Sequence, residues 1–307
     1  MKIGIQTGTT NVELGFAEAY RLYAEAGFET VDWNMNDYLM GNLINKGEYK
    51  GNIFEKSVEE ILEHVNPEIS EIKKNGLEIA EAHAPFPAYV PGKPEMLDYM
   101  IEIYKKNILV CHAIGCKHLV IHGITLAYNN RIDTPETVAD MNEKLYTSLI
   151  PTLVQTDVTV CLENLFTGAG GVVVSGHCSE AHIAAETIDR YNALAGKECF
   201  GLCLDTGHLN MLKLDFRNYI PVLGNRIKML HIHDNHGVKD SHKAPYTGTL
   251  VWKDFYTELR KIGYNGDLSF ETYMQTSLKT IDVELLPAWL KLIHEIGVHF
   301  KNKITEQ

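Results

Sequence analysis

Short apolar segments and longer segments with helical periodicity alternate eight times along this chain of 307 residues. The short segments have the length and composition of buried strands, and a glycine ends several of the helical segments. We predict strands at residues 2–7, 28–35, 77–82, 118–121, 159–162, 200–204, 227–232 and 266–270. We predict helices at residues 11–26, 55–75, 95–114, 134–155, 179–194, 216–223, 252–262 and 282–296.

No linker or change of composition interrupts this alternation. Eight strand–helix repeats in a chain of 307 residues match a single (β/α)8 barrel, or TIM barrel, better than a doubly wound sheet. We therefore expect an α/β protein in which residues 1–307 form one TIM-barrel domain. Residues 36–54 are predicted to be a long functional loop, and the glycine-rich residues 168–171 a flexible loop at the rim of the barrel.

Six of the predicted strands end at or next to a histidine or an acidic residue. These residues are His83, His122, Glu163, Asp205, His231 and Glu271. In a TIM barrel the C-terminal ends of the strands surround the active site. The sequence therefore predicts a cluster of imidazole and carboxylate groups at one end of the barrel.

Residues 231–242 hold four histidines and two aspartates. The two-residue period of a strand places His231 and His233 on one face, and the turn at Gly237 brings Asp240 and His242 over the same rim. Imidazole and carboxylate ligands together suit Zn²⁺ or Mn²⁺. We expect a divalent metal cofactor, with one ion or more, and the sequence leaves open whether His231 or His233 is the ligand.

Structural explanations exist for some of these residues. A single histidine at a strand end, such as His83 or His122, is more often a hydrogen-bonded structural residue than a metal ligand. Asp205 could cap the helix that follows it. Glu163 and Glu271 each follow a buried apolar segment, where an unpaired carboxylate is costly, and one cation explains both.

The overall charge disfavours several partners. Lys and Arg number 28 against 40 Asp and Glu, a net charge of −12, which argues against a broad nucleic-acid or membrane surface. Of the arginines, Arg131 alone lies in a predicted rim loop. No apolar segment approaches the about 18 residues of a membrane span, and the six cysteines include no C-x-x-C pair, so we predict reduced thiols and a cytoplasmic protein.

Several motifs then follow one another in chain order. They are Leu162-Glu-Asn-Leu, Leu204-Asp-Thr-Gly-His208, His231-Ile-His-Asp-Asn, Asp240-Ser-His242 and Phe270-Glu271. The set resembles the motifs of the xylose isomerase-like barrel superfamily, which joins the sugar phosphate isomerases and epimerases to the endonuclease IV group. The resemblance covers nearly the whole chain, and it implies a TIM barrel with a metal-dependent active site.

Within that superfamily, the resemblance to ketose 3-epimerases implies one Mn²⁺-type ion. Its ligands would be Glu163, Asp205, a histidine of the His231/His233 pair, and Glu271. The two glutamates would also act as acid and base on a sugar, through an enediolate that the metal stabilises. Substrate contacts are expected from His208, His233 and Lys239.

The resemblance to the endonuclease IV group implies three zinc ions instead. Their ligands would be His83, His122 and Glu163 at one ion, Glu163, Asp205, His231 and Glu271 at the second, and His208, Asp240 and His242 at the third. Such a cluster would activate hydroxide against a phosphodiester of DNA. The sequence also leaves open a catalytically silent sugar-binding barrel.

Our leading hypothesis is a divalent-metal-dependent isomerase or epimerase of a sugar or sugar phosphate, with Glu163 and Glu271 as catalytic residues. The scarcity of arginine in the predicted rim loops disfavours nucleic acid as a partner, because enzymes of damaged DNA hold the duplex with basic side chains. We expect a small sugar substrate, no membrane partner and a possible homo-oligomer.

Overall fold

The computed structural model describes residues 1–127 and 132–306. Its strands are β1 (Ile3–Gln6), β2 (Thr30–Asn34), β3 (Glu78–His83), β4 (His118–Val120), β5 (Thr159–Glu163), β6 (Phe166–Ala169), β7 (Val172–Ser175), β8 (Phe200–Asp205), β9 (Ile227–Ile232) and β10 (Leu268–Phe270). Arg131 lies outside the described residues.

The α-helices cover the outside of the sheet and connect consecutive strands. They are α1 (Thr10–Leu14), α2 (Phe16–Ala26), α3 (Gly41–Lys46), α4 (Val58–Lys74), α5 (Pro94–Ile114), α6 (Pro135–Thr147), α7 (Ile150–Leu153), α8 (Ala181–Ala195), α9 (Thr206–Met211), α10 (Phe216–Leu223), α11 (Trp252–Lys261), α12 (Tyr273–Thr276) and α13 (Leu286–Thr305). Short 3-10 helices lie at Met35–Asp37, Ile53–Glu55, Gly224–Arg226 and Val283–Leu285.

Eight parallel strands close into a barrel in the order β1-β10-β9-β8-β5-β4-β3-β2. Strands from the two ends of the chain complete it, since Ile3 of β1 pairs with Leu268 of β10. The predicted (β/α)8 barrel is therefore confirmed. Because all eight strands run in one direction, their C-terminal ends meet at one rim.

Two apolar cores support this rim. The larger core packs the helices against the outer face of the barrel and includes Trp33, Trp252 and Phe300. A small inner core fills the barrel itself and consists of Val120, Cys161, Cys203 and Met229. All six cysteines are buried and unpaired, which confirms their predicted position in the core.

Two predicted rim loops contain regular structure. Residues 36–54 include α3 and the 3-10 helix Ile53–Glu55, so they are not one long irregular loop. Residues 168–171 are part of an antiparallel hairpin in which Ala169 pairs with Val172. Gly170 and Gly171 have φ angles of 58° and 84°, which the tight two-residue turn of such a hairpin requires.

Glycine and proline also divide or shift three predicted helices. Gly15, with φ 80° and ψ 160°, separates α1 from α2 within predicted residues 11–26. Pro151 and Pro287 lie in the first turns of α7 and α13, where a missing N–H costs nothing. Residues 134–155 are therefore divided into α6 and α7, and the last helix begins at Leu286 rather than at residue 282.

No helix in residues 1–127 or 132–306 combines the length and the apolar composition of a membrane span.

Candidate metal centre

One cavity of about 210 Å³ lies at the C-terminal rim of the barrel. All nine residues predicted as metal ligands line it: His83, His122, Glu163, Asp205, His208, His231, Asp240, His242 and Glu271. The structure therefore brings together the full set from the strand ends and from the segment after β9.

Three of these side chains lie on barrel strands, and a fourth directly follows one. Glu163 and Asp205 are the last residues of β5 and β8, and His231 is the last but one of β9. Glu271 follows β10, and its backbone N–H donates to the carbonyl of Ile232 on the neighbouring strand. We call Glu163, Asp205, His231 and Glu271 the central group.

His231 is the imidazole at the middle of the central group. Its Nδ1 lies 3.7 Å from Glu163 Oε2 and 3.5 Å from Glu271 Oε1. Ligand atoms of Glu163, Asp205 and His231 also lie within 4.8 Å of one another. Three carboxylates thus surround one buried imidazole, and Glu163, Asp205 and His231 lie close enough together to share one divalent cation.

His83 and His122 extend the central group on the side of β3 and β4. Nε2 of His122 lies 2.7 Å from Glu163 Oε2 and 3.0 Å from Nε2 of His83. His83 Nδ1 contacts the carbonyl of Ala84 at 2.9 Å and donates its proton there. Its Nε2 therefore presents a lone pair towards Glu163.

A second set, which we call the loop cluster, comprises His208, Asp240 and His242. Asp240 Oδ2 lies 3.1 Å from His242 Nε2 and 3.5 Å from His208 Nε2. The Nδ1 atoms of both histidines face backbone carbonyls, those of Asn164 at 3.0 Å and Glu271 at 3.2 Å. Both imidazoles therefore direct Nε2 at the Asp240 carboxylate.

Asp234 fixes the segment that carries Asp240 and His242 of the loop cluster. It pairs with Lys243 through two backbone hydrogen bonds of 2.7 and 2.9 Å. Its carboxylate accepts from the indole N–H of Trp252 at 3.0 Å and from the backbone N–H of Thr249 at 3.0 Å. Asp234 thus has a structural role, although it lies in the histidine-rich segment.

Burial and charge separate the pKa values of the two glutamates of the central group. Burial raises the pKa of Glu271 to about 8, against the opposing charges of His231 and His242. Burial also disfavours ionised Glu163, yet the charges of His122 and His231 outweigh it and hold the pKa of Glu163 well below its usual range. The site thus has one carboxyl group that retains its proton near neutrality and one that is ionised.

The loop cluster instead stabilises protonated imidazoles. Burial opposes the charge of His242, but the hydrogen bond and charge of Asp240 raise its pKa to about 8. His208 is likewise buried, and the charge of Asp205 with the hydrogen bond to Asp240 raises its pKa well above the usual range. Protons on these two rings can neutralise Asp240 without a metal.

The donor set of the central group fits a divalent cation. It contains imidazole nitrogen and carboxylate oxygen, the ligands that Zn²⁺ and Mn²⁺ share. No lysine or arginine of the described residues lines the cavity, so the positive charge beside the buried carboxylates comes from histidines. A bound cation would supply a positive charge that does not depend on their protonation.

His233 and Lys239 lie outside the cavity. His233 is buried, with Nε2 2.9 Å from Asp205 Oδ2, and its ring stacks on His242 at a centroid distance of 3.9 Å. Lys239 is exposed. Of the two histidines left open by the sequence, His231 lies between Glu163 and Glu271. His233 contacts Asp205 with Nε2, and one of its ring nitrogens also lies within 4.8 Å of ligand atoms of His242 and Glu271.

The family model described as xylose isomerase-like TIM barrel matches residues 20–292. This range covers most of the chain and every strand end of the site except that of β1. The chain belongs to the xylose isomerase-like TIM-barrel family.

The curated relatives that the chain matches include an uncharacterised protein and a probable endonuclease. The chain is 24% identical over 175 residues to the uncharacterised protein y4fM of Sinorhizobium fredii, with 57% of this chain and 53% of that protein covered. It is 27% identical over 184 residues to a probable endonuclease 4 of Staphylococcus carnosus, with 56% of this chain and 57% of that protein covered. The matched part of the chain thus spans little more than half the length of these curated relatives.

Among solved structures, the family fold extends over nearly the whole chain. The D-psicose 3-epimerase of Clostridium cellulolyticum H10, solved with D-tagatose, matches with a TM-score of 0.68 and 15% identity. The match covers 98% of this chain and 99% of that one. At this identity the likeness shows the fold alone.

The cavity is also lined by residues that were not predicted from the sequence. They are Gln6, Asn34, Asn36, Phe86 and Tyr273. Gln6 ends β1 and Asn34 ends β2, so the rule that pointed to the metal ligands also applies to them. They were missed because amides and aromatic rings are not typical metal ligands.

Proposed function

We propose that this protein is a divalent-metal-dependent isomerase or epimerase of a small sugar, with Glu163 and Glu271 as its acid and base. The observation that carries the proposal is the position of both carboxylates beside Nδ1 of His231, at 3.7 and 3.5 Å, in one buried cavity. We also propose that residues 1–307 form one domain, because β1 and β10 pair to close the barrel.

Glu163, Asp205, His231 and Glu271 would hold the metal. When bound, the metal would polarise a carbonyl of the sugar and stabilise the charge that develops on its oxygen. Ionised Glu163 is suited to remove the proton from the neighbouring carbon. Glu271 is suited to return a proton to that carbon, because burial makes it the more basic of the two carboxyl groups and so the one that takes up a proton more readily.

Neighbouring side chains fix Glu271 for this role. The hydroxyl of Tyr273 donates to the side-chain oxygen of Gln6, and the amide nitrogen of Gln6 donates to Glu271 Oε1. The hydrogen bond from Tyr273 sets which end of the Gln6 amide faces the carboxylate. Glu271 is thereby held against the cavity at the place where a carbon-bound proton would be exchanged.

The lining of the cavity favours an uncharged sugar. No lysine or arginine of the described residues lines it, whereas recognition of a phosphate usually relies on such cations. Aromatic rings pack beside the histidines of the cavity. The ring centroids of Phe86 and His122 are 4.4 Å apart, and those of Phe166 and His208 are 5.0 Å apart. The cavity of about 210 Å³ is smaller than the pockets that hold drug-sized ligands, as suits a free monosaccharide.

Solvent exchange tests the proposal. The protein, loaded with Mn²⁺ and separately with Mg²⁺, is incubated in D₂O with a panel of ketoses and their phosphates, and NMR measures deuterium incorporation and new epimers. We expect exchange on at least one free ketose. Glu271→Gln should lose it, whereas His236→Asn should retain it, because His236 is exposed and does not line the cavity.

A zinc phosphodiesterase is the second candidate function. The presence of all nine predicted ligands around one cavity favours it, as does the similarity to a probable endonuclease 4. Incision of a DNA duplex with one abasic site, by protein loaded with Zn²⁺, is its direct test. Catalytic incision of this DNA over many turnovers, together with no solvent exchange on any sugar, would overturn the epimerase proposal and favour the phosphodiesterase.

A further inference from the structure

Asp32 is a buried carboxylate that the proposed mechanism has not used. It lies within β2, between Gln6 of β1 and Glu81 of β3, its register partners on the two neighbouring strands. Its exposed fraction is 1%, and it does not line the cavity. Among the described residues no lysine or arginine forms an ion pair with it, so its burial is costly unless another group compensates.

Asp32 faces the imidazole of His231, a proposed metal ligand, on the side away from Glu163 and Glu271. Asp32 Oδ2 lies 3.3 Å from Nε2 of His231. Nδ1 of the same ring faces Glu163 and Glu271. The imidazole thus lies between the carboxylates of the cavity on one side and the carboxylate of Asp32 on the other.

Metal binding at Nδ1 would determine which nitrogen of the His231 ring carries the proton. A neutral imidazole that gives its Nδ1 lone pair to a cation carries its proton on Nε2. That N–H needs an acceptor in the interior of the barrel, and Asp32 Oδ2 is in contact with it. Metal-ligating histidines commonly donate their other ring N–H to a carboxylate, which fixes the tautomer and the orientation of the ring.

Asp32 also reaches Glu271 through one intermediate. The amide nitrogen of Gln6 lies 3.5 Å from Asp32 Oδ2 and donates to Glu271 Oε1. The opposite end of this amide accepts from Tyr273, so the NH₂ group is held towards the two carboxylates. One buried carboxylate therefore contacts His231 directly and Glu271 through Gln6.

We propose that Asp32 is a positioning residue, which accepts the Nε2 proton of His231 and so directs Nδ1 at the metal. The inference rests on the proposed function, because it takes His231 as a metal ligand. Asp32→Asn should weaken the arrangement. It replaces a charged acceptor with a neutral amide whose oxygen is the weaker acceptor for Nε2–H, so the ring loses part of its preference for the tautomer that leaves Nδ1 free.

Metal affinity is the first readout. Metal-free wild type, Asp32→Asn and Glu68→Gln are titrated with Mn²⁺ against a competing chelator, with circular dichroism to check the fold. Glu68 is the matched control, since it is also a buried carboxylate but lies on α4, outside the barrel, where it accepts from Trp33 Nε1 at 2.8 Å and Tyr38 OH at 2.6 Å.

We expect Asp32→Asn to bind Mn²⁺ about 10- to 100-fold more weakly than wild type, the usual effect of losing such a partner. Glu68→Gln should keep the wild-type affinity. Equal affinities in Asp32→Asn and wild type would overturn the role of Asp32 while leaving the proposed function intact. Failure of the wild type to bind any divalent ion would overturn both.

A second measurement does not depend on the folding of the variant. The ¹⁵N-labelled wild type is loaded with Zn²⁺, and the nitrogen shifts of His231, assigned with the help of His231→Asn, identify the protonated ring atom. Protonated Nε2 with metal at Nδ1 is expected. Protonated Nδ1 would contradict the proposal, since it would place the ion at Nε2 and make Asp32 a direct ligand.

Discussion

The central group and the loop cluster use the same types of side chain, but the balance of charge within them differs. In the central group three carboxylates surround His231, whereas in the loop cluster Asp240 faces two imidazoles. Two protonated imidazoles more than balance the charge of Asp240. The central group has three carboxyl groups against one imidazole and carries an excess of negative charge once Glu271 releases its proton, and this difference indicates that it is the place where a divalent cation is needed.

The two sets also differ in their support. Glu163 and Asp205 end barrel strands and have exposed fractions of 1% and 0%. Asp240 and His242 lie in the irregular segment after β9, and the Asp240 side chain is 20% exposed. Ligands held by strands keep their geometry more precisely than ligands held by loops, so the central group should govern catalysis and the loop cluster should modify it.

The largest expected effect comes from the carboxylates of the central group. Glu271→Gln should reduce epimer formation and solvent exchange by at least about 1,000-fold, because it removes a proton-transfer group and a metal ligand together. NMR in D₂O measures both rates. Asp240→Asn is the matched change in the loop cluster, and a loss as large as that of Glu271→Gln would remove the distinction between the two sets.

The next effect concerns stability. Mn²⁺ at 100 times its dissociation constant should raise the free energy of unfolding of wild type by about 2.7 kcal/mol. Urea denaturation with and without the ion measures this increase. Asp240→Ala should keep most of it, whereas Glu163→Gln should lose most of it. The opposite pattern would place the stabilising ion in the loop cluster.

Metal affinity should also depend on pH. Burial raises the pKa of Glu271 to about 8, and a proton must leave this carboxyl group before it can bind a cation. Below pH 8 the affinity should therefore fall by about tenfold per pH unit for each proton displaced, and above pH 8 it should level off. Titration calorimetry at pH 6.5, 7.5 and 8.5 tests this, and a pH-independent affinity would contradict it.

The smallest effect should be a pKa shift within the loop cluster. Asp240→Asn should lower the pKa of His242 from about 8 by about one unit or more, because the opposite charge is lost. The stability conferred by this pair is complete below pH 6.5 and is lost as the pH rises through about 8. NMR titration of metal-free protein measures the pKa, and an unchanged value would show that Asp240 does not hold this proton.

The sequence predicted the barrel because strand and helix periods do not depend on tertiary contacts. It also predicted the rim position of Glu163, Asp205 and Glu271, since their places at strand ends are fixed once the barrel is accepted. The β6–β7 hairpin was missed, although the pair Gly170–Gly171 between alternating segments is a hairpin signal.

Other parts of the site depend on packing that the sequence does not display. His231 and His233 share one face of a regular strand, but β9 ends at Ile232 and the chain turns, which places His233 in contact with Asp205. Asp32 lies between apolar neighbours inside β2 rather than at a strand end. A carboxylate in the middle of a buried strand is a signal in its own right, because it must have a partner.

The metal content of the protein distinguishes one cation in the central group from a cluster of three. Protein purified without added metal, and its Asp240→Ala variant, are compared by elemental analysis. We predict about one manganese, cobalt or magnesium ion per chain, unchanged in the variant, because the central group alone requires a cation. About three zinc ions per chain, falling to about two in Asp240→Ala, would contradict this account and favour the phosphodiesterase.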